Sequence, residues 1–307
     1  MGRGLAAGEK RDVVLGYDDV EGYENGAIFL GATVGRNANR IRGAAFELGG
    51  KKYTLDANEN GNNLHSGYDF YNKRLWEVKQ SDTKSITFAV FSPDGDQGYP
   101  GAADIYVTYS LDKDDKLDIF YEALSDKDTI LNMTNHSYFN LDGHNSGSVL
   151  QHMLILEADY FTPGDAQSIP TGEILPVENT PMDFREGRKI GERIEEEYEP
   201  LRFGNGYDHN WVLKNKGNFE KVAELMAEES GIVMETYTDR PGMQIYTANF
   251  VENEVGKEGV VYGKRSAVCL ETQCYPDAVH HENFPSPIYR AGEKYTAHTA
   301  FRFLIKK

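Results

Sequence analysis

Two residues in this sequence have both the type and the surroundings to move protons. His136 lies in Thr134-Asn135-His136-Ser137-Tyr138-Phe139-Asn140-Leu141, among amides, hydroxyls and aromatics, just before the polar loop at 142–147. Glu271 is a single carboxylate in the otherwise uncharged run Ala267-Val268-Cys269-Leu270-Glu271-Thr272-Gln273-Cys274-Tyr275. Unperturbed pKa values of about 6.5 and about 4.3 let one group hold a proton while the other is ionised near neutrality, as general acid–base chemistry requires. Glu271 has a second reading, a buried salt-bridge partner for Arg40, and the residues alone leave both open.

Other polar residues cluster on glycine-bearing loops, where binding groups concentrate. Gly35-Arg36-Asn37-Ala38-Asn39-Arg40-Ile41 gathers two arginines and two asparagines; Asn62-Asn63-Leu64-His65-Ser66-Gly67 ends in a loop histidine; Gly206-Tyr207-Asp208-His209-Asn210-Trp211 leads into an apolar strand. Each alone is as well explained by turn formation. There is no Gly-x-Ser-x-Gly elbow, no His-Glu-x-x-His and no phosphate-binding Gly-x-x-x-x-Gly-Lys-Ser/Thr loop, so the motifs for covalent, zinc or nucleotide chemistry are missing. His280-His281 lacks a cysteine or carboxylate cluster of metal-ligand spacing, so no metal is expected.

The elements that must position these groups are strands. Ile86, Phe88 and Val90 alternate, as do Ile105, Val107, Tyr109 and Leu111, then Leu117, Ile119 and Tyr121 beyond a polar hairpin turn at 112–116. Tyr295, Ala297, Thr299, Phe301, Phe303 and Ile305 line one side of a long final strand, with His298 and Arg302 on the other. Strand parity puts His136, Tyr138 and Asn140 on one face, and separates Cys269, Glu271, Gln273 and Tyr275 from Val268, Leu270, Thr272 and Cys274. Ile190 and Ile194, four apart in the charged stretch 187–198, predict one short surface helix; Val222, Leu225 and Met226 leave 218–229 open between helix and strand. Many strands, 31 glycines and few helices predict an all-β fold, one large antiparallel sandwich.

A chain of 307 residues can bury a substantial core. Its formal net charge of -17 would repel nucleic acid and anionic membranes, so neither is an expected partner. Two cysteines, Cys269 and Cys274, on opposite faces of one strand, read as reduced thiols rather than a disulfide framework. The first residues lack a signal-peptide core, and no run approaches the ~18 apolar residues of a membrane span, so a soluble cytoplasmic protein is expected.

With these residues assembled, the chain resembles the aldose 1-epimerases, the galactose mutarotase family. Ten segments occur in family order: 12–17 (DVVLGY), 35–41 (GRNANRI), 64–67 (LHSG), 98–101 (GYPG), 134–141, 180–185 (TPMDFR), 207–210 (YDHN), 241–246 (PGMQIY), 270–273 (LETQ) and 275–279 (YPDAV). The resemblance implies an antiparallel β-supersandwich spanning residues 1–307 as a single domain, and makes 218–229 a strand. It implies that His136 is the general acid and Glu271 the general base, with Asn39, Arg40, His65, Tyr138, Asp208 and Gln244 binding sugar hydroxyls. The implied reaction interconverts α and β anomers of a free hexose such as galactose or glucose. Glu271 takes the C1 hydroxyl proton, His136 protonates the ring oxygen, the C1–C2 bond of the aldehyde rotates and the ring recloses. No redox change or group transfer occurs, so neither cofactor nor metal is expected, and the partner is a small-molecule sugar. The chain departs from the family pattern in three places. Only about eleven residues precede Asp12, where the family carries further strands, so an unpaired sheet edge is expected; Ser66 stands where a second glycine is common, and Met182 where an aromatic is. A silent sugar-binding module on the same fold and a glycoside hydrolase using Asp208 and Glu271 are the competing readings.

Overall fold

In the computed structural model, which describes residues 10–306, the alternating runs become strands whose expected faces meet. Val90, Phe88 and Ile86 stand opposite Ile105, Val107 and Tyr109, which in turn oppose Ala123, Tyr121 and Ile119 across the hairpin of Ala103–Leu111 and Lys116–Ser125. The final strand Lys294–Ile305 continues the rows, Ala297 facing Tyr121 and Thr299 facing Ile119. Aromatic and β-branched pairs of this kind contribute roughly 0.2–1 kcal/mol each.

These strands belong to a nine-stranded antiparallel sheet whose edges are Arg188–Lys189 and Glu77–Ser81. A second antiparallel sheet of six strands runs in the order Tyr138–Phe139, Val268–Gln273, Gly242–Tyr246, Asp208–Leu213, Ala158–Thr162, Leu175–Pro176. Between them lies the main core, to which the smaller sheet gives Trp211, Met243, Ile245, Val268 and Leu270 and the larger Ile105, Val107, Tyr121, Leu225 and Phe301. This is the antiparallel β-supersandwich. Because side chains alternate along a strand, the same arrangement leaves Asp208, Asn210, Gln244, Tyr246, Cys269 and Glu271 on the outer face of the six-stranded sheet.

Two sequence expectations change form. The stretch 187–198 is not a helix: Arg188–Lys189 joins the sheet edge, Ile190–Glu192 makes a 3-10 turn, and the α-helix begins only at Glu199. Ile190 and Ile194 are both buried, but the amides of Ile190 and Gly191 donate to His152 and Leu150 rather than to their own helical turn. A Cβ at Gly191 would meet Leu150 at 2.8 Å, so this close approach requires glycine. The stretch 218–229 is the strand Glu220–Met226, and its pairing with Ile232–Thr238 slips between Lys221 and Ala223. That bulge turns Val222 inward and produces the three-residue spacing of Val222 and Leu225 that resembles a helix. The stretch before Asp12, on which the expectation of an unpaired sheet edge rests, falls largely on residues 1–9, outside the described residues.

The loops over the outer face hold their shape through side-chain bonds to backbone. Ser66 has φ of 76°, a conformation unfavourable for a residue with a Cβ, which accounts for glycine as the common occupant here. Its buried hydroxyl accepts from the Asn37 amide at 2.7 Å and donates to the Asn37 carbonyl at 3.1 Å. Ser66→Ala keeps the strained φ and loses both bonds, so urea unfolding should show a loss of about 1–3 kcal/mol. Ser66→Gly, which relieves the strain, should lose less, and equal losses would show that the positive φ carries no cost at this position.

Candidate active site

A cavity of about 520 Å³ opens over the outer face of the six-stranded sheet. Its floor is set by strand register. One row across the sheet reads Asp208, Tyr246, Cys269, Tyr138; the next places Asn210, Gln244 and Glu271 side by side. His136 enters from a separate two-stranded ribbon, Thr134–His136 paired with Ala32–Val34. Its ring stacks on Tyr138, with centroids 5.0 Å apart, and is flanked by Phe29 and His65.

His136 Nε2 lies 3.5 Å from Glu271 Oε1, while Glu271 Oε2 is buried with no hydrogen-bond partner among the described residues. Burial dominates both titrations and favours the uncharged forms. It lowers the His136 pKa to about 4, against a smaller upward pull from the residue's own backbone. It raises that of Glu271 well above the usual carboxylate range, assisted by Asp208 and opposed by Arg40. On the far side of the imidazole, Cys269 Sγ sits 3.5 Å from Nδ1. Burial, with the charges of Glu271 and Asp208, raises the thiol pKa well above its ordinary value. Cys269 Sγ is a neutral partner for Nδ1 in either tautomer, the thiol donating to an unprotonated Nδ1 or accepting from Nδ1–H, which leaves Nε2 as the nitrogen that faces Glu271.

The remaining walls are arms from loops. Asn39 and His65, with φ of 60° and 51°, clamp one another: the Asn39 amide donates to His65 Nδ1 at 3.1 Å, and the His65 amide donates to the Asn39 carbonyl at 3.0 Å. Burial first, then His136 and Arg40, push the His65 pKa well down. His65 is therefore a neutral ring with Nδ1 occupied and Nε2–H as its remaining donor. Arg40 lines the cavity with its guanidinium forked onto Glu59, Nε to Oε2 at 3.1 Å and Nη2 to Oε1 at 2.8 Å. Asp208 accepts from Gln244 Nε2 at 2.7 Å, and its backbone amide donates to His209 Nδ1.

Such a cavity sets the buried His136–Glu271 pair among hydrogen-bond donors and acceptors, the Arg40–Glu59 ion pair and aromatic faces, a surface suited to a polyol. The family described as aldose 1-epimerase matches residues 5–302. The galactose mutarotase of Mus musculus is 42% identical over 299 residues, 97% of this chain and 85% of that protein. The chain belongs to the aldose 1-epimerase family. The aldose 1-epimerase of Escherichia coli strain K12 is 35% identical over 305 residues, 98% of this chain and 88% of that one. Among solved structures, the GalM/aldose epimerase homologue from C. elegans is 32% identical with a TM-score of 0.91, covering 99% of this chain and 91% of that chain.

For this aldose 1-epimerase family member, seven of the eight residues picked from sequence line the cavity: Asn39, Arg40, His65, His136, Tyr138, Asp208 and Glu271. Gln244 does not; it is buried beneath, holding Asp208, with its own Oε1 unpartnered. Asn140, placed with His136 by parity, instead turns away to the carbonyls of Gly147 and Ser266. The salt-bridge reading of Glu271 is also corrected, since Arg40 pairs with Glu59. His280 and His281 both turn to the buried Asp277, at 2.7 Å and 3.4 Å. His136, Cys269 and Glu271 bring ligand atoms within 4.8 Å of one another, but a cation there would occupy both proton-transfer groups and require the thiol to ionise. Phe29, Glu59, Tyr246 and Phe250 are lining residues that sequence reasoning missed. Tyr246 carried a usable signal, its even spacing from Gln244.

The raised folded-state pKa of Glu271 has a cost in stability. Such a group favours folding fully only below its unfolded value, near 4.5, and that contribution is lost as pH rises through the folded value. Glu271→Gln removes the dependence. Its melting temperature should therefore gain on wild type as pH rises above the unfolded value, and a constant difference would contradict the burial argument.

Proposed function

We propose that this chain is a mutarotase that interconverts the α and β anomers of a free, neutral aldohexose such as galactose or glucose, in hexose metabolism. The observation that carries the reading is the His136–Glu271 pair, 3.5 Å apart at the cavity wall, with Glu271 Oε2 holding no hydrogen bond among the described residues. Supporting it are the family membership and the names of the relatives, galactose mutarotase and aldose 1-epimerase.

The pair works with a single proton. With the ring closed, Glu271 is the carboxylate and His136 the imidazolium. Glu271 takes the O1 proton as the C1–O5 bond breaks, and the bond's electrons go to O5, which receives the proton from His136 Nε2. The open-chain aldehyde then faces a carboxylic acid and a neutral imidazole. After rotation about C1–C2, O5 attacks the other face of C1 and returns its proton to His136, while O1 recovers one from Glu271. Burial favours the neutral pair, the state that accompanies the open chain, so the protein's contribution is greatest at the high-energy point of the reaction. Asn39, Arg40, His65, Tyr138 and Asp208 are placed to bind hydroxyls, and Gln244 supports Asp208 from behind. Against a hydrolase, the group 3.5 Å from Glu271 Oε1 is an imidazole, where a glycosidase pair has two carboxylates at wider spacing.

Polarimetry on fresh α-galactose tests the reading. Wild type should accelerate the approach to equilibrium, and His136→Ala and Glu271→Gln should each lose about 10²–10⁴-fold. Unchanged rates in either variant would sink the assignment of that residue. Binding without turnover in wild type would favour a silent module, and sugar release from a galactoside a hydrolase.

The one-proton requirement also sets the pH dependence. A second proton adds as His136 titrates near about 4, removing the base; loss of the proton above the raised Glu271 range removes the acid. The acid limb of kcat/KM should thus fall near about 4, and a limb at the ordinary histidine value of 6.5 would contradict the burial of His136.

A further inference from the structure

Arg40 is the one lysine or arginine among the described residues that line the cavity, and its charge and the Nε–Nη2 side of its guanidinium are already taken by a carboxylate. Glu59 occupies that side in the two-point geometry, 3.1 Å and 2.8 Å, with which arginine grips a carboxylate or a phosphate. The other arginines of the 35–42 segment are no more available. Arg36 is buried on the carbonyls of Pro100 and Gly101 and on the Ser92 hydroxyl, and Arg42 is bonded to Asp165. Within the cavity, Arg40 is balanced by Glu59, and the His136–Glu271 pair is neutral in either placement of its proton. The Asp208 carboxylate is left over, so an anionic sugar meets a wall with surplus negative charge and no open cation.

We propose that Glu59 is a specificity-determining residue that makes the site reject anionic sugars, uronates and sugar phosphates, by withholding Arg40 from them. The assignment rests on the mutarotase reading and adds to it the charge class of the substrate. Glu59 is suited to this role because it comes from a different loop segment than any proton-transfer group. Its side chain is one-quarter exposed, and Arg40 is held besides through its backbone, the amide donating to Asn39 Oδ1 at 2.8 Å. Replacing Glu59 therefore frees the Nε–Nη2 side of the guanidinium, and the charge of Arg40 is then balanced by the nearby Asp208 carboxylate.

The discriminating pair of substrates is galacturonate and its methyl ester, which differ at C6 by a charge while both carry a carboxyl carbon there. In wild type at neutral pH, kcat/KM for mutarotation of the ester should exceed that of the free acid by about tenfold or more, the factor of one charge contact. In Glu59→Gln the gap should close to about threefold or less, while Glu59→Asp, which keeps the negative charge beside Arg40, should preserve it. Thermal melts verify that the variants fold. Equal rates for acid and ester in wild type overturn the proposal without any variant, and so does a gap that Glu59→Gln leaves unchanged. Galactose is run alongside: if it fails to mutarotate, the proposed function falls and the role of Glu59 with it. Turnover of galactose together with equal handling of acid and ester removes the role of Glu59 alone.

Discussion

The distance between His136 and Glu271 depends on how two different pieces of β-structure are fastened side by side. Glu271 belongs to the six-stranded sheet, whereas His136 belongs to a ribbon that does not share a backbone ladder with Glu271's strand at that level. Side chains make the join. Asn132 accepts from the Cys274 amide at 2.8 Å and donates to its carbonyl at 3.4 Å, and Thr134 donates its hydroxyl to the Thr272 carbonyl at 2.9 Å. Only at Tyr138 and Phe139 does the chain enter regular pairing with the strand. The ribbon thus stands far enough off for the His136 ring to lie across from Glu271 and still be held in register. Ordinary laddering would have placed backbone where the imidazole sits.

Around that join the dominant energy is desolvation. Burial pushes the His136 pKa down and that of Glu271 up, so each side chain by itself favours its uncharged form. The core between the two sheets makes this sustainable. Trp211, Met243, Ile245, Val268 and Leu270 anchor one face of the very strands whose other face is polar, so unpartnered atoms on Glu271 and Gln244 are carried by apolar packing behind them. A register slip of one residue in any of these strands would exchange the two faces, putting leucine in the cavity and a carboxylate in the core. Fold and site are therefore specified by the same alternation.

That is why so much was legible in the sequence. Period two placed Glu271 opposite Leu270 and grouped the hairpin and final-strand residues that do pack together, and the isolation of Glu271 in an uncharged run marked it out. What stayed hidden depends on geometry that parity does not carry. Glu59 sits in the polar Asn58-Glu59-Asn60 loop, where a carboxylate looks like any solvated acid, and its meaning comes only from Arg40 across the Arg40–Leu64 pairing. Phe29 lies in an apolar run that reads as core. Gln244 was recognised but not its indirect role, because spacing cannot tell a side chain that meets a ligand from one that holds its neighbour. The bulge at Val222 and the close approach at Gly191 misled in opposite directions, one imitating a helix and one preventing it.

The loop arms and the sheet floor divide the work by rigidity. The floor carries Glu271 and Asp208, whose positions follow from main-chain register. The arms carry Asn39, Arg40 and His65, whose positions follow from left-handed residues locked by side-chain bonds to backbone, at Asn39, His65 and Ser66. Such conformations are unfavourable for residues with a Cβ and persist only where the surroundings over-determine them. Here the locking bonds use one nitrogen of His65, two of Arg40 and the backbone of Asn39, and what each residue has left over is what faces the cavity. Part of the arms' hydrogen-bonding capacity is thus spent within the protein, including the Nε–Nη2 fork of Arg40, which Glu59 occupies.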